Sequence, residues 1–200
     1  MAAGPEWWRT IQYMSICAYT IESKPRVAAR APEGLNDGMT SNAIQDFYPD
    51  EFATCYGCGR LNAHGLHVRS SWDGEDTVAH FTPRPEHMAM PGFVYGGLIA
   101  SLIDCHAIGT AAAAAERAEG REIGVAPTPR FVTASLHVDY LKPTPLGPEL
   151  ELRARVTESG ARKAVVAVTM TVNGAITARG AVVAVRIPSS MSRPDSGATP

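Results

Sequence analysis

The chain has 200 residues, of which 45% are hydrophobic and 19% charged, enough to bury the core of one domain with tails or of two small domains. Its 18 Lys and Arg against 20 Asp and Glu leave a formal net charge of -2, so nothing points to a nucleic-acid or anionic-membrane partner. We find no apolar run near the roughly 20 residues that cross a bilayer, and no signal-peptide pattern. We therefore expect a cytoplasmic protein that does not bind nucleic acid or membrane and whose four cysteines are thiols.

The two ends of the chain differ in character from its middle. Residues 1–38 contain two adjacent tryptophans and a Gly/Pro-bearing stretch, without sustained helical or strand periodicity. Met39 reads as a plausible native start, so we expect residues 1–46 to be an extension, poorly ordered or dispensable. The polar Pro/Gly/Ser tail, 189–200, is predicted to be disordered. The domain is then expected to span residues 47–188.

The first half of this domain contains a hairpin and then a long helix. Two β-rich runs, 65–71 and 77–82, flank Trp72-Asp-Gly-Glu-Asp, which is a turn signal of the Asp-Gly kind. The run 96–117 has no proline, is rich in Ala and Leu, and stops at Gly120. This pattern predicts a helix over 96–117.

The second half is rich in strands. The β-rich runs are 131–143, 149–158, 163–172 and 175–187. Asn173-Gly174 is the strongest short hairpin signal in the chain. The order of two strands, one helix and four strands predicts an α+β fold. An antiparallel six-stranded sheet wrapped around one long central helix satisfies this order.

The apolar part of the predicted helix, residues 96–115, carries one carboxylate, Asp104, among apolar residues on nearly all sides. Such a helix is buried on most of its surface, so Asp104 needs a partner, a water or a catalytic task. The helix opens on Gly96-Gly97, where first-turn amides lack intrahelical partners and can stabilise a developing oxyanion. Asp104 lies roughly 11–12 Å further along the axis. If both groups act on one carbon, we expect them to come from different subunits.

Three motifs together resemble hotdog-fold acyl-CoA thioesterases of the PaaI type. YGGLIASLID (95–104) resembles the HGG…D signature, with Tyr in place of His. FVTASLHVDYLKPTPLG (131–147) resembles the family strand that ends in a Tyr-x-x-Pro turn. CYGCGRLNAHGL (55–66) resembles the opening of a bacterial subgroup. The resemblance covers 47–188 and implies the hotdog fold, a medium-chain or aromatic acyl-CoA substrate, no cofactor, and a homodimer or homotetramer with shared sites.

The resemblance also implies roles for individual residues. Asp104 matches the general base or nucleophile, Gly96 the amide that binds the thioester carbonyl, and Thr133 a residue that positions water. Two departures stand out: Tyr95 replaces the usual His, and Ala89 stands where one branch has a catalytic Asn. A phenol donates a hydrogen bond but is no base at neutral pH.

The remaining residues expected in substrate binding are Tyr95, Gly97, Ala89 and Met90. The main alternative function is a non-catalytic acyl-CoA-binding or sensing hotdog protein, in which Tyr95 and Ala89 mark lost chemistry. A third alternative is a hotdog dehydratase or hydratase, which needs an Asp–His pair that these spacings do not provide.

Several candidate residues also have structural interpretations. Asp104 as a carboxylate holding a helix or loop, and the glycine pair as close packing, remain alternatives. His106 lies in the middle of the apolar arc, about 200° from Asp104, so we expect a hydrogen-bonded core histidine.

The Cys55-x-x-Cys58 pair, followed by His64 and His67, raises a zinc or redox site as alternatives. No second Cys pair is present and both histidines lie in a Gly-bearing stretch. The sequence therefore favours a loop packed against the pocket, with no metal.

Overall fold

The computed structural model describes residues 43–126 and 128–188. Within these ranges the regular elements are β1 (Ser70–Asp73), β2 (Asp76–Phe81), β3 (Met88–Met90), β4 (Phe93–Val94), α1 (Gly96–Ala118), β5 (Phe131–Tyr140), β6 (Leu150–Ser159), β7 (Lys163–Val172) and β8 (Ala175–Arg186). One antiparallel sheet has the strand order β1-β2-β6-β7-β8-β5, and β3 pairs with β4 in a small second sheet. The predicted α+β order, with six strands around one long helix, is confirmed.

The helix α1 lies against one face of the large sheet. Its buried apolar residues meet buried strand residues in one core cluster, which includes Leu98, Leu102, Ile103, Leu152, Val168, Met170 and Val182. The helix packs closely on Gly180 of β8, where an added Cβ would lie 2.4 Å from Cγ2 of Ile103. The expectation that no apolar run is long enough to cross a bilayer is wrong for α1, which has that length and hydropathy, but here it is the buried core helix. Fully burying one Leu or Ile side chain contributes about 1.5–3 kcal/mol, so the contact between α1 and the sheet stabilises the domain.

Both predicted hairpins form, and the first is shorter than expected. Asn173 and Gly174 have φ of 48° and 76°, the left-handed pair that a two-residue hairpin turn requires. This confirms the second predicted hairpin, between β7 and β8. In the first, Trp72 and Asp73 belong to β1 and the turn is confined to Gly74 and Glu75.

The prediction of a strand over 65–71 is wrong for its first five residues, because β1 begins only at Ser70. The amide of Leu66 donates to the carbonyl of Tyr56 at 2.7 Å, and that of Val68 to the carbonyl of Gly57 at 2.9 Å. This segment therefore binds the loop of residues 55–58, here named the cysteine loop, instead of β2.

The packed domain starts earlier than residue 47. A short 3₁₀ helix, Ile44–Phe47, packs beside α1, and Ile44 is only 2% exposed. The buried Gln45 side chain donates to Ser70 Oγ at 3.0 Å and accepts from the Ser70 amide at 2.7 Å. Residues 43–46 therefore belong to the domain. The remainder of the predicted extension, and the predicted tail at 189–200, lie outside the described residues.

His106 is a core histidine, as predicted. It is fully buried, and its Nδ1 lies 2.8 Å from Oγ of Ser70. The Ser70 hydroxyl therefore links the side chains of Gln45 and His106. Desolvation lowers the pKa of His106 to about 4, so the ring is neutral at physiological pH.

Candidate active site

Asp104 lies on α1, facing the start of β5. It is half-buried, and its Oδ1 accepts a hydrogen bond of 2.5 Å from the hydroxyl of Thr133. Burial raises the pKa of Asp104, the Thr133 hydrogen bond partly offsets this, and a Cys55 thiolate would raise it further. A carboxylate with a raised pKa is a stronger base once ionised, which suits proton abstraction near neutral pH.

Asp104 and Thr133 open into a largely apolar cavity of about 280 Å³. Its other lining residues are Tyr48, Phe52, Cys55, Cys58, Cys105, Ile108, Ala112, Arg130, Phe131, Val132 and Ile187. An apolar cleft with a few convergent polar groups is the usual form of a small-molecule site. The pair of Asp104 and Thr133 is therefore placed where a substrate could reach it.

The amide of Gly96 belongs to a different cavity. This second cavity, of about 390 Å³, is lined by Ala89, Met90, Gly96 and Tyr140 among others, and it shares no residue with the first. The Tyr140 hydroxyl donates to the Gly96 carbonyl at 2.9 Å. Within residues 43–126 and 128–188 no acceptor binds the Gly96 amide, which leaves it available to a ligand.

Tyr95 is 58% exposed, and its ring packs over Gly97. A Cβ at Gly97 would approach Tyr95 Cε1 to 2.4 Å, so a side chain there would displace the exposed Tyr95 ring. Within one chain the structure therefore brings Asp104 to Thr133 and, separately, Gly96 to the cavity of Ala89 and Met90. The roles expected for these residues stay predictions.

A basic cavity of about 670 Å³ adjoins that of Asp104 and shares Phe52, Arg130 and Ile187 with it. Arg130, Arg162 and Arg186 line it. Arg186 pairs with Glu119 at 2.9 Å. Nε and Nη2 of Arg130 are buried and have no hydrogen-bond partner among the described residues. A cavity lined by three arginines, one of which has two buried nitrogens without a partner among the described residues, favours an anionic ligand.

The sequence interpretation missed Arg130 and Cys105. Arg130 stacks its guanidinium over the rings of Tyr48 and Phe52, at 4.5 and 3.9 Å from their centroids. No motif in the sequence marks Arg130. Cys105 directly follows Asp104, but its approach to Cys55 depends on how the loop docks on α1.

Comparisons with known proteins identify the family. A model of the thioesterase superfamily matches residues 91–178, the span that contains Gly96, Asp104 and Thr133. A thioesterase superfamily protein from Shewanella loihica PV-4 is 52% identical, with a TM-score of 0.52 over 64% of this chain and 96% of that one. No curated protein matches the chain.

Two more distant structures show the same fold. The E. coli PaaI protein from the phenylacetic acid degradation operon is 18% identical, with a TM-score of 0.51 over 62% of this chain and 81% of that one. A thioesterase from Haemophilus influenzae is 14% identical, with a TM-score of 0.53 over 65% of this chain and 85% of that one. On the family match and the Shewanella relative, the chain belongs to the thioesterase superfamily and has its hotdog fold.

Proposed function

We propose that this protein hydrolyses an acyl-CoA thioester to the free acid and CoA, with Asp104 as the catalytic carboxylate. The observation that carries the proposal is the Asp104–Thr133 hydrogen bond inside an apolar cavity. Asp104 takes a proton from a water that Thr133 helps to orient, and the resulting hydroxide attacks the thioester carbon. Alternatively, Asp104 attacks this carbon itself, and water then hydrolyses the mixed anhydride to the free acid and the Asp104 carboxylate. The carbonyl oxygen becomes an oxyanion, which the Gly96 amide stabilises, and the thiolate of CoA then leaves.

The arginines beside this cavity support CoA as the thiol. CoA carries phosphates at the far end from its thioester, and Arg130, Arg162 and Arg186 line the neighbouring cavity. Within the described ranges Arg162 forms no ion pair, so its charge is available. The apolar lining near Asp104 favours a medium-chain or aromatic acyl group.

We further propose that the active unit is a homodimer, alone or as half of a tetramer. The Asp104 and Gly96 cavities are separate within one chain, so a complete site needs a second chain. β5 forms one edge of the large sheet and bears exposed Val132, Leu136 and Tyr140. An unpaired edge with exposed apolar side chains is suited to pairing with another strand.

A thiol-release assay tests the hydrolysis. Purified protein is offered a panel of short, medium, long and aromatic acyl-CoA esters, and free CoA is detected with a thiol reagent. We expect turnover with at least one ester, and a loss of at least about a hundredfold in Asp104→Asn. Unchanged turnover in Asp104→Asn would remove this residue from the mechanism. Saturable binding of esters without thiol release would favour the non-catalytic binding protein.

Complementation between two inactive variants tests the shared site. Gly96→Pro removes the amide hydrogen at a first-turn position that tolerates proline, because Tyr95 before it is extended at φ -63° and ψ 129°. After subunits of Asp104→Asn and Gly96→Pro are mixed and exchanged in equal amounts, half of the dimers are mixed and each has one intact site, so we expect about a quarter of wild-type activity. No recovery, despite exchange shown by mass spectrometry, would place the whole site in one chain.

A further inference from the structure

Three thiols from two parts of the fold meet beside Asp104. The Sγ atoms of Cys55, Cys58 and Cys105 all lie within 4.8 Å of one another. Those of Cys55 and Cys105 are 3.9 Å apart. Cys55 and Cys58 belong to the loop before β1, whereas Cys105 is on α1. None of the three is in a disulfide.

The loop is shaped so that its two thiols point at the third. The Gly59 amide donates to the Cys55 carbonyl at 2.8 Å, which closes the loop into a tight turn. A Cβ at Gly57 would lie 2.1 Å from the sulfur of Cys105, so no residue with a side chain fits there without displacing that thiol. The turn therefore places the sulfurs of Cys55 and Cys58 beside Cys105, with no side chain in between.

We propose that Cys55, Cys58 and Cys105 bind a Zn²⁺ ion as three thiolate ligands. In a tetrahedral site with Zn–S bonds of about 2.3 Å, two sulfurs lie about 3.8 Å apart. The distance of 3.9 Å between Cys55 and Cys105 fits this geometry with little movement. All three cysteines line the cavity of Asp104, so the fourth coordination position is open to water or to a group in that cavity.

The charges around the cluster suit a thiolate site. Each thiol loses its proton as it binds, so three thiolates and one Zn²⁺ carry a net charge of -1, and no electrons are transferred. Arg130 lines the same cavity as the three cysteines, so a positive charge lies near the cluster.

This ligand set differs from the one that the sequence raised. His64 and His67 are exposed and do not join the cluster. A disulfide between any two cysteines would leave the third without a partner, whereas Zn²⁺ uses all three. The ion would fasten the loop to the central helix, and its binding does not depend on the proposed hydrolysis.

Metal binding by the full chain tests the proposal. Cys17 is replaced by Ser throughout, so that every remaining cysteine belongs to the cluster. Reduced, chelator-treated protein is titrated with Co²⁺ and then with Zn²⁺. We expect one metal per chain, the charge-transfer and visible bands of tetrahedral thiolate Co²⁺, and displacement of these bands by Zn²⁺.

Variants identify the ligands. Cys55→Ser and Cys105→Ser should each lower the affinity for Zn²⁺ by at least about a hundredfold. Loss of a residue that only hydrogen-bonds to a metal ligand already lowers metal affinity about 10–100-fold. His64→Ala and His67→Ala are the matched controls and should bind as the parent does. Circular dichroism verifies that the serine variants fold, and the titration of the parent protein does not rely on them.

Two outcomes would overturn the proposal. One is failure of the reduced parent protein to take up Zn²⁺ or Co²⁺ at micromolar concentration. The other is a loss of affinity in His64→Ala or His67→Ala as large as that in the cysteine variants, which would assign a Cys–His ligand set. Detection of a disulfide in freshly purified protein, together with no metal uptake after reduction, would instead indicate a redox pair.

Discussion

Replacing Thr133 by Val should displace the acidic limb of the pH–activity profile toward higher pH. The Thr133 hydroxyl donates to ionised Asp104, and a hydrogen bond to the charged form of an acid lowers its pKa. Removing the donor therefore raises the pKa of Asp104. The carboxylate then becomes protonated, and inactive as a base, at a higher pH than in the wild type.

The size of the effect follows from the strength of this hydrogen bond. A bond to a charged group contributes about 1.5–3 kcal/mol, and the exposed position of Thr133 favours the lower end. Since about 1.4 kcal/mol corresponds to a tenfold change, kcat/KM measured on the acidic limb should fall about tenfold.

The assay is thiol release from the best acyl-CoA ester, with kcat/KM followed across pH. Thr133→Ser is the matched control, because it keeps the hydroxyl and should keep the limb in place. Loss of water orientation alone would lower the plateau without moving the limb. A limb that stays at the wild-type position in Thr133→Val would therefore refute the coupling between this hydroxyl and Asp104.

Three further predictions concern other parts of the fold. Gly96→Pro should lower kcat about 10²–10³-fold, whereas Gly96→Ala, which keeps the amide, should stay within a few-fold; equal losses in thiol release would refute the oxyanion role. Because the folded pKa of His106, about 4, lies below its ordinary value of 6.5, its stabilising contribution is complete above pH 6.5 and is lost as pH falls toward 4. Urea titrations should show a loss of about 3 kcal/mol across this window that His106→Asn largely removes, and an equally steep dependence in that variant would assign it to other groups. Gly180→Ala, whose Cβ would lie 2.4 Å from Ile103, should cost about 1–3 kcal/mol in the same titrations, whereas Gly160→Ala, with only one backbone oxygen at 3.6 Å, should cost almost nothing.

Elements with a strong local signal could be predicted from the sequence. The helix α1 needs only a long stretch of helix-forming residues without proline, ended by a glycine. The β7–β8 turn needs only the Asn-Gly pair, since both residues accept the left-handed backbone conformation. The start of β1 could not be predicted in the same way. The amides of Leu66 and Val68 donate hydrogen bonds to the cysteine loop instead of to a neighbouring strand.

The candidate site also has one part that the local sequence predicts and another that depends on tertiary contacts. The sequence by itself determined that Asp104 is the one acid in the apolar part of the helix, residues 96–115, because that depends only on composition and helical periodicity. Tertiary structure decided its partners: Thr133 is 29 residues away along the chain, and Cys105 is 50 residues from Cys55. It also placed Arg130 beside the cavity. These contacts arise where a strand and a loop dock on the helix, and no local pattern of residues encodes such a docking.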